Sequence, residues 1–458
     1  MRISLGIPMN IKDIALAAGG IIKSDYNEPI RYIATDSREV QSGDLFVAIK
    51  GDRFNGNDFI SDAKKNGGLI LSSDERLSDI FVTDSNIGLL NLSSYYAKMM
   101  PRLKYKIGIT GSVGKTTTKE FLKTILSQAY NVHANQGNLN NKIGMPLSIL
   151  SCPQNAEILI MEMGMNHAGE ISLLSKCLRP DIAIITNIGT SHIGYLKTRS
   201  AIAKAKLEIE DGMSGGVVIV PFDEPLLRRA KGLRSYSTKN PCADFYIYNN
   251  KGRHSIYHNG FLICNSKFEF NEKHLEKCLA AAIGASLCAG ITPSNLAEGI
   301  LRISNDNVRQ KVLCLKDIYF YTDYYNASFE SVKACIEHLK TLRDYTRKSL
   351  ILGDILELCE HSENIHRKIG RIINEKDFYN LFLYGKDAQF IGNEAILHGF
   401  PAERVFYNCI KENPQITAFQ VIKNSIPGEI LLVKASREMK MEKIVEHIKL
   451  ASEVNSGE

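Results

Sequence analysis

The chain has 458 residues, too many for a single hydrophobic core, so two to four domains are expected. Its 44% hydrophobic and 23% charged residues exclude a disordered or fibrous chain. The net charge of +6 is mild and spread along the chain, so it does not by itself argue for nucleic acid, and none is expected as a partner.

The N-terminal stretch MRISLGIPMNIKDIALAAGG has its apolar residues interrupted by Pro8 and Asp13, which makes a poor signal peptide. No apolar run approaches the length of a membrane span. Ten cysteines occur without a C-x-x-C pair, and several, such as Cys177, Cys278 and Cys335, sit in apolar segments. They read as buried free thiols in a reducing compartment, with neither a disulfide frame nor a zinc site. A soluble, cytoplasmic protein is expected.

Residues 1–100 mix short strands and helices around ATDSREVQSGDLFVAIKGDRFNGNDF (34–59), which is rich in turn residues and charges about the apolar run LFVAI. From Tyr105 the texture changes. YKIGIT, EILIMEMG, DIAIITNIG and GGVVIV are short β-branched runs ending near glycine, with helical patterns between them. That is the signature of a parallel sheet covered by helices. From about residue 310, IYFYTD, KSLILGD, YNLFLYG and GEILLVKAS alternate with helix-like stretches and read as a second doubly wound domain. The expected fold is α/β with three domains: a small α/β domain over 1–100, a central P-loop ATPase-like parallel-sheet domain over 101–308, and a C-terminal Rossmann-like domain over 309–458. Open α/β sheets bind ligands at the carboxyl ends of their strands. Lys115, Glu162 and His192 fall there in the central domain, and Asp323, Asp354 and Ser436 in the last, so a site between the two is expected.

The stretch GITGSVGKTTTKEF (108–121) resembles a phosphate loop, but the strict G-x-x-x-x-G-K-[ST] pattern wants glycine where this chain has Ile109. A strand, the turn Gly111-Ser112-Val113-Gly114 and a helix opening at Lys115 can still converge backbone N–H groups on a polyphosphate. The glycines permit the φ values and the close approach. Lys115 would contact the outer phosphates, and the Thr116 hydroxyl would ligate Mg²⁺. The plainer alternative, a glycine-rich turn before an ordinary helix, leaves the Gly-Lys-Thr order unexplained. Mg²⁺ needs hard oxygen ligands, and Glu162 ends an apolar strand, where a carboxylate is out of place unless it binds something. Its alternative is a solvated strand end. Taken alone, His192 in TNIGTSHIGYL reads as a surface or hydrogen-bonding histidine, and Lys204 and Lys206 in AIAKAKLEIE as a solvated helix face.

Together these segments carry a family resemblance. TGSVGKTTTKE, GNLNNKIGMPLSIL (137–150), EMGMNHAGEI (162–171), TNIGTSHIGYL (186–196) and AKAKLEI (203–209) resemble, in order and spacing, the Mur ligases, ATP-dependent amide ligases of peptidoglycan precursor synthesis. The loop of that family is a shortened G-x-x-G-K-T, which accounts for Ile109. The flanking segments 34–59, DYYNASFES (323–331), LGDILELCEHSENIH (352–366) and GEILLVKASREMKME (428–442) resemble the branch that joins D-alanyl-D-alanine to UDP-N-acetylmuramoyl-tripeptide. The resemblance covers nearly the whole chain.

Carried over position by position, the resemblance implies an ATP site made by Gly111, Ser112, Val113, Gly114, Lys115, Thr116 and Thr117, with Asn141, His274, Arg309 and the ribose-binding Asp323. It implies two Mg²⁺ ions on Thr116, Glu162, His192 and a carbamylated Lys206. A carbamate is an anionic oxygen ligand, whereas an ammonium repels the ion. Lys115, Glu162, His192 and Lys206 are the implied catalytic residues. The implied substrate contacts are Thr35, Asp36, Ser37 and Arg38 in a UDP-substrate domain, with Asn138, Tyr325, Asn326, Ser436 and Arg437. The implied reaction is acyl activation of the tripeptide carboxylate by ATP, followed by attack of the dipeptide amine. A monomer is expected.

Some positions depart from the family. In EKHLEKC (272–278) His274 remains, but Leu275 and Cys278 replace two asparagines, the second of which contacts adenine in the family. Tyr325-Asn326-Ala327-Ser328-Phe329 stands for the usual Tyr-Asn-Ala-Asn-Pro, and Thr322-Asp323 for paired aspartates. Asn57 stands for a common histidine, and VPFDEP (220–225) for Asn-Ala-Asp-Asp. Two other readings stay open: another Mur-type or folylpolyglutamate-type amino-acid ligase, and a degenerate, non-catalytic nucleotide-binding homologue.

Overall fold

The computed structural model describes residues 1–51, 54–230, 232–250, 252–267, 273–303, 311–324, 326–410 and 412–454, with the backbone alone at 273, 274, 311 and 452–454. Three sheets follow one another along the chain, in the α/β architecture expected.

The first sheet has six strands in the order Arg2–Met9, Ile30–Ala34, Leu45–Val47, Leu69–Ser72, Ile80–Phe81, Ile21–Ile22. The run LFVAI supplies the strand Leu45–Val47, buried at every residue because it lies inside the sheet. The helix Ser85–Met99 leads out of this domain, its N-terminus capped by the Asp84 carboxylate on the N–H groups of Asn86 and Ile87. Tyr96 on that helix ties the first domain to the second. Its Oη accepts from the Ile7 N–H at 2.7 Å and donates to the Cys152 carbonyl at 3.1 Å. Ser93 meets the Cys177 thiol at 3.0 Å on the same side. One apolar core therefore runs from the first sheet into one face of the second.

The central sheet has nine strands. Its parallel part reads Val132–Ala134, Ile158–Glu162, Tyr105–Thr110, Ile182–Ile185, Val217–Pro221, Leu233–Ser237 and Phe245–Asn250, and the antiparallel strands Arg253–His258 and Phe261–Lys267 extend the far edge. The helices Lys115–Leu126, Lys273–Cys288 and Pro293–Leu301 cover its second face. From Tyr105–Thr110 the chain winds to one side, then crosses back to lay Ile182–Ile185 on the other, with Ile185 opposite Thr110. Strand order reverses there, which is where an open α/β sheet leaves a crevice at its carboxyl ends.

The C-terminal sheet runs Lys311–Leu315, Ile318–Thr322, Glu429–Lys434, Arg347–Gly353, Leu381–Tyr384, Val405–Asn408, parallel except for the first pair. Apolar layers cover both faces. The boundary expected at 308 lies outside the described residues. Among the described residues none of the ten cysteines forms a disulfide, and Cys152, Cys177, Cys278 and Cys335 are buried. Cys242, Cys314, Cys359 and Cys409 are exposed, so burial accounts for only part of the set. Among the described residues no helix is long and apolar enough to cross a membrane.

Candidate active site

The strand Tyr105–Thr110 delivers the chain to a turn that only glycine can make. Gly111 has φ 151° and Gly114 φ 83°. A Cβ on Gly111 would lie 1.9 Å from Thr186 Oγ1, and one on Gly114 2.9 Å from Cys278 Sγ. The turn is braced from the neighbouring strand. Asn187 Oδ1 accepts from the Val113 N–H at 2.9 Å, and Thr186 Oγ1 donates to the Val113 carbonyl at 2.5 Å. Gly114 is the N-cap of the helix Lys115–Leu126, and no side chain caps that end. A helix N-terminus at the end of such a turn favours an anion. Lys115 arches over the turn, Nζ donating to the Gly111 carbonyl at 2.8 Å.

One helical position on, Thr116 Oγ1 donates to Glu162 Oε2 at 2.6 Å. Glu162 is 2% exposed, and its other oxygen accepts from Asn140 Nδ2 at 2.8 Å. The Glu162 N–H donates to Asn135 Oδ1 at 2.9 Å, and Asn135 is itself pinned by Lys119, whose Nζ donates to its carbonyl at 2.5 Å. A buried carboxylate is costly unless its partners are fixed in this way.

On the helix Arg199–Leu207, Lys204 is exposed, but Lys206 is 1% exposed and lines the same cleft. The solvated-face reading therefore fails for Lys206. Burial first, and the charge of Lys115 second, hold its pKa well below the ordinary lysine value. Among the described residues no carboxylate pairs with it. A buried lysine with a depressed pKa gives up its proton more readily than an exposed one and is the better nucleophile for it. Among the described residues no three His, Cys, Asp or Glu side chains gather into a metal cage. The donor set, one fixed carboxylate with a hydroxyl and a histidine near a phosphate loop, suits a cation that takes its remaining ligands from phosphate and water.

His192 marks the junction with the C-terminal domain. Its Nδ1 lies 2.7 Å from Glu357 Oε2, and this contact with His192 holds the Glu357 carboxyl below the usual range. Thr190 Oγ1 donates to Glu330 Oε2 at 3.0 Å, and Lys197 pairs with Glu360 at 2.7 Å. Three carboxylates of the C-terminal domain thus land on one loop of the central domain. They close a cleft of about 1200 Å³ that Gly51 and Phe54 reach from the first domain and Asp323, Asn326, Glu330, Cys335 and Lys434 from the third.

Most of the expected site residues line that cleft: Gly111 to Thr117, Asn138, Asn141, Glu162, His192, Lys206, Asp323 and Asn326. Asp323 receives the buried Lys434 ammonium at 2.6 Å and the Cys335 thiol at 3.3 Å. Thr35, Asp36, Ser37 and Arg38 do not line it. Asp36 and Arg38 pair with each other at 2.6 Å, which holds the Asp36 carboxyl far below its usual range, and the Arg38 side chain is 87% exposed. Ser436 is turned into the C-terminal domain, where its Oγ accepts from the Leu356 N–H at 2.9 Å, and Arg437 pairs with Glu442 at 3.0 Å. Arg309, Tyr325 and the His274 side chain lie outside the described residues. Leu275 is buried in the core, while Cys278 faces the phosphate loop. Asn135, Asn140, Glu357 and Lys434 escaped the sequence reading. Asn135 follows the strand Val132–Ala134, so the strand-end rule could have found it. Lys434 ends an apolar strand much as Glu162 does.

Comparison with known proteins bears on the whole chain. A family model described as the Mur ligase middle domain matches residues 109–279, and one described as the Mur ligase family, catalytic domain, matches residues 29–100. The UDP-N-acetylmuramoyl-tripeptide–D-alanyl-D-alanine ligase of Bacillus subtilis (strain 168) is 35% identical over 463 residues, spanning 96% of this chain and 98% of the relative. A crystal structure of MurF from Acinetobacter baumannii aligns with TM-score 0.86 at 27% identity, over 98% of this chain and all of that one. MurF ligase from Thermotoga maritima in complex with ADP aligns with TM-score 0.77 at 26% identity, over 92% of this chain and 98% of that one.

Proposed function

The chain belongs to the Mur ligase family, and we propose roles for its cleft residues on that premise. It is an ATP-dependent amide ligase that adds D-alanyl-D-alanine to UDP-N-acetylmuramoyl-tripeptide in peptidoglycan precursor synthesis. The turn Gly111–Gly114 and the helix N-terminus after it bind the ATP phosphates. Asp323 holds the ribose. The tripeptide carboxylate attacks the γ-phosphate and forms an acyl phosphate and ADP. The amine of D-alanyl-D-alanine then attacks the acyl carbon, and the amide forms as phosphate leaves. Lys115 stabilises charge on the transferring phosphoryl group. Thr116, Glu162, His192 and Lys206, the last as its carbamate, would hold two Mg²⁺ ions, which supply charge neutralisation at the phosphates. Contacts from Glu330, Glu357 and Glu360 keep the C-terminal domain over the cleft and exclude the water that would hydrolyse the acyl phosphate. Residues 1–100 form the UDP-substrate domain, 101–308 the ATP domain and 309–458 the ligase domain. A cytoplasmic location belongs to the same proposal.

The observation that carries this reading is the contact of Thr116 with the buried Glu162 at the foot of the phosphate loop. A phosphate-release assay with a panel of acceptors tests it. Release that requires D-alanyl-D-alanine with the UDP-tripeptide supports the assignment; release that requires glutamate instead would sink it. Lys115→Ala should abolish turnover with the fold intact, and unchanged turnover refutes the role given to Lys115. The thiol of Cys278 beside Gly114, where the family places an amide, favours a second reading as a non-catalytic homologue. ATP binding without turnover on any acceptor would select that reading.

A further inference from the structure

Two turns built on left-handed residues meet where the C-terminal domain sits on the central one. His192 (φ 63°) and Lys197 (φ 67°) bracket the helix Ile193–Leu196, and Glu357 (φ 63°) and Cys359 (φ 46°) shape the turn facing it. Non-glycine residues persist in that region where their surroundings over-determine them, and they gather at functional sites. The backbones of the two turns are joined, the Gly194 N–H donating to the Glu357 carbonyl at 3.1 Å. Gly194 leaves no space for a side chain, since a Cβ there would lie 2.5 Å from that oxygen. The same docking brings Glu357 Oε2 to 2.7 Å from His192 Nδ1, an ion-pair distance with the ring nitrogen not aimed along a hydrogen bond; Nδ1 is a buried atom of a ring that lines the cleft. With Nδ1 turned to that carboxylate, Nε2 is the nitrogen left for the cleft.

We infer that Glu357 is a positioning residue that acts through His192: docking of the C-terminal domain presents its carboxylate to Nδ1 and so favours the Nδ1–H tautomer with which Nε2 meets a divalent cation. The inference rests on the cation-binding role proposed above for His192. A histidine can offer a lone pair at Nε2 only while Nδ1 carries the proton, and a carboxylate acceptor on Nδ1–H enforces that state. The cation site is then complete only when the domain is seated, which couples closure over the substrates to readiness for phosphoryl transfer. The other two contacts, Thr190 with Glu330 and Lys197 with Glu360, hold the same docking without touching His192, and they supply the control.

Mn²⁺ is the probe, its binding to the full chain with ADP followed by electron paramagnetic resonance and compactness by small-angle X-ray scattering. Glu357→Ala should weaken Mn²⁺ binding about tenfold or more, the range for removing a carboxylate behind a metal-bound histidine, and keep the parent scattering profile. Its kcat should fall while KM for the UDP-substrate stays unchanged. Glu357→Gln, whose amide oxygen still accepts from Nδ1–H, should restore most of the Mn²⁺ affinity. Glu360→Ala should bind Mn²⁺ as the parent does. Parent-like Mn²⁺ affinity in Glu357→Ala overturns the inference. So does an equal loss in Glu360→Ala, or expansion of Glu357→Ala in solution, because docking alone would then explain the effect. His192→Ala separates the two levels. If it leaves Mn²⁺ binding unchanged, the ligand role of His192 has failed; if it weakens binding while Glu357→Ala does not, only the positioning role has failed.

Discussion

Thr116 and Glu162 satisfy each other at 2.6 Å across the gap between the phosphate-loop helix and the neighbouring strand. A divalent cation on these two groups would replace that hydrogen bond by two metal–oxygen contacts, while Asn140 and Asn135 keep the Glu162 carboxylate and backbone in place. The protein thus fixes the positions of both groups through its own hydrogen bonds.

Glu162→Gln isolates the charge. An amide can accept from Asn140 Nδ2 and still reach Thr116 Oγ1, so the fold should survive. Phosphate release should fall about a hundredfold or more, the scale for losing one preorganised electrostatic partner. A thermal melt beside the activity assay checks both halves. Activity within a few-fold of the parent would remove Glu162 from the cation site.

Lys206 carries a linked prediction about stability. Its pKa is depressed in the folded chain, by burial first and by Lys115 second, from an ordinary 10.5. Between the depressed value and 10.5 the unfolded chain binds more protons. The penalty is complete below the folded value and fades as pH rises to 10.5. In CO₂-free buffer, Lys206→Met should therefore melt above the parent at neutral pH, with the gap closing in alkali. Lys206→Ala should lose turnover about a hundredfold or more and regain part of it with short carboxylic acids, which replace the carbamate oxygens. A mass showing only a bare amine in active enzyme would count against the carbamate.

What could be read from the sequence follows physical lines. The β-branched runs of the central and C-terminal sheets are buried on both faces, and this leaves a pattern that a single chain displays. Glu162 was legible because a carboxylate is conspicuous at the end of ILIME. Lys206 was not legible from residue type. Lys204 and Lys206 stand two apart on a helix and so point to different faces, and only packing decides which is buried. The pairing of Glu357 with His192 depends on how two domains dock, and no local period encodes that. Thr35 to Arg38 were named from resemblance, and nothing in their spacing says that they stand outside the cleft.

Gly194→Ala tests the docking itself. Gly194 is not in the left-handed region, so its short helix should accept alanine. The added Cβ would meet Glu357 O at 2.5 Å and Cys359 Sγ at 2.9 Å. Overpacking of this kind costs about 1–3 kcal/mol, enough to move a docking equilibrium about 5–150-fold. A larger radius of gyration and a kcat down by about tenfold or more are expected. A parent-like radius with parent-like turnover would show that this contact does not gate the reaction.

The seam between the first and central domains should be alkali-sensitive. Tyr96, Cys152 and Cys177 lie together there, each pushed up to about 12 by burial, from ordinary values of 10 for tyrosine and 9 for cysteine. A raised folded pKa means that the unfolded chain loses its proton first. The stability these groups contribute is thus fully present below about pH 9 and is lost as pH rises toward 12. Each unit of such a shift is worth about 1.4 kcal/mol. Tyr96→Phe strips the Ile7 N–H and the Cys152 carbonyl of their shared partner, a loss of about 1–3 kcal/mol near neutral pH. It also removes one of the three titrations. Thermal melts of parent and variant from about pH 8 to pH 11 should show the variant less stable at the start and its midpoint falling more gently. Parallel slopes would mean that Tyr96 stays protonated no more firmly inside the protein than outside it, and the sealed seam would not be the source of the alkaline loss.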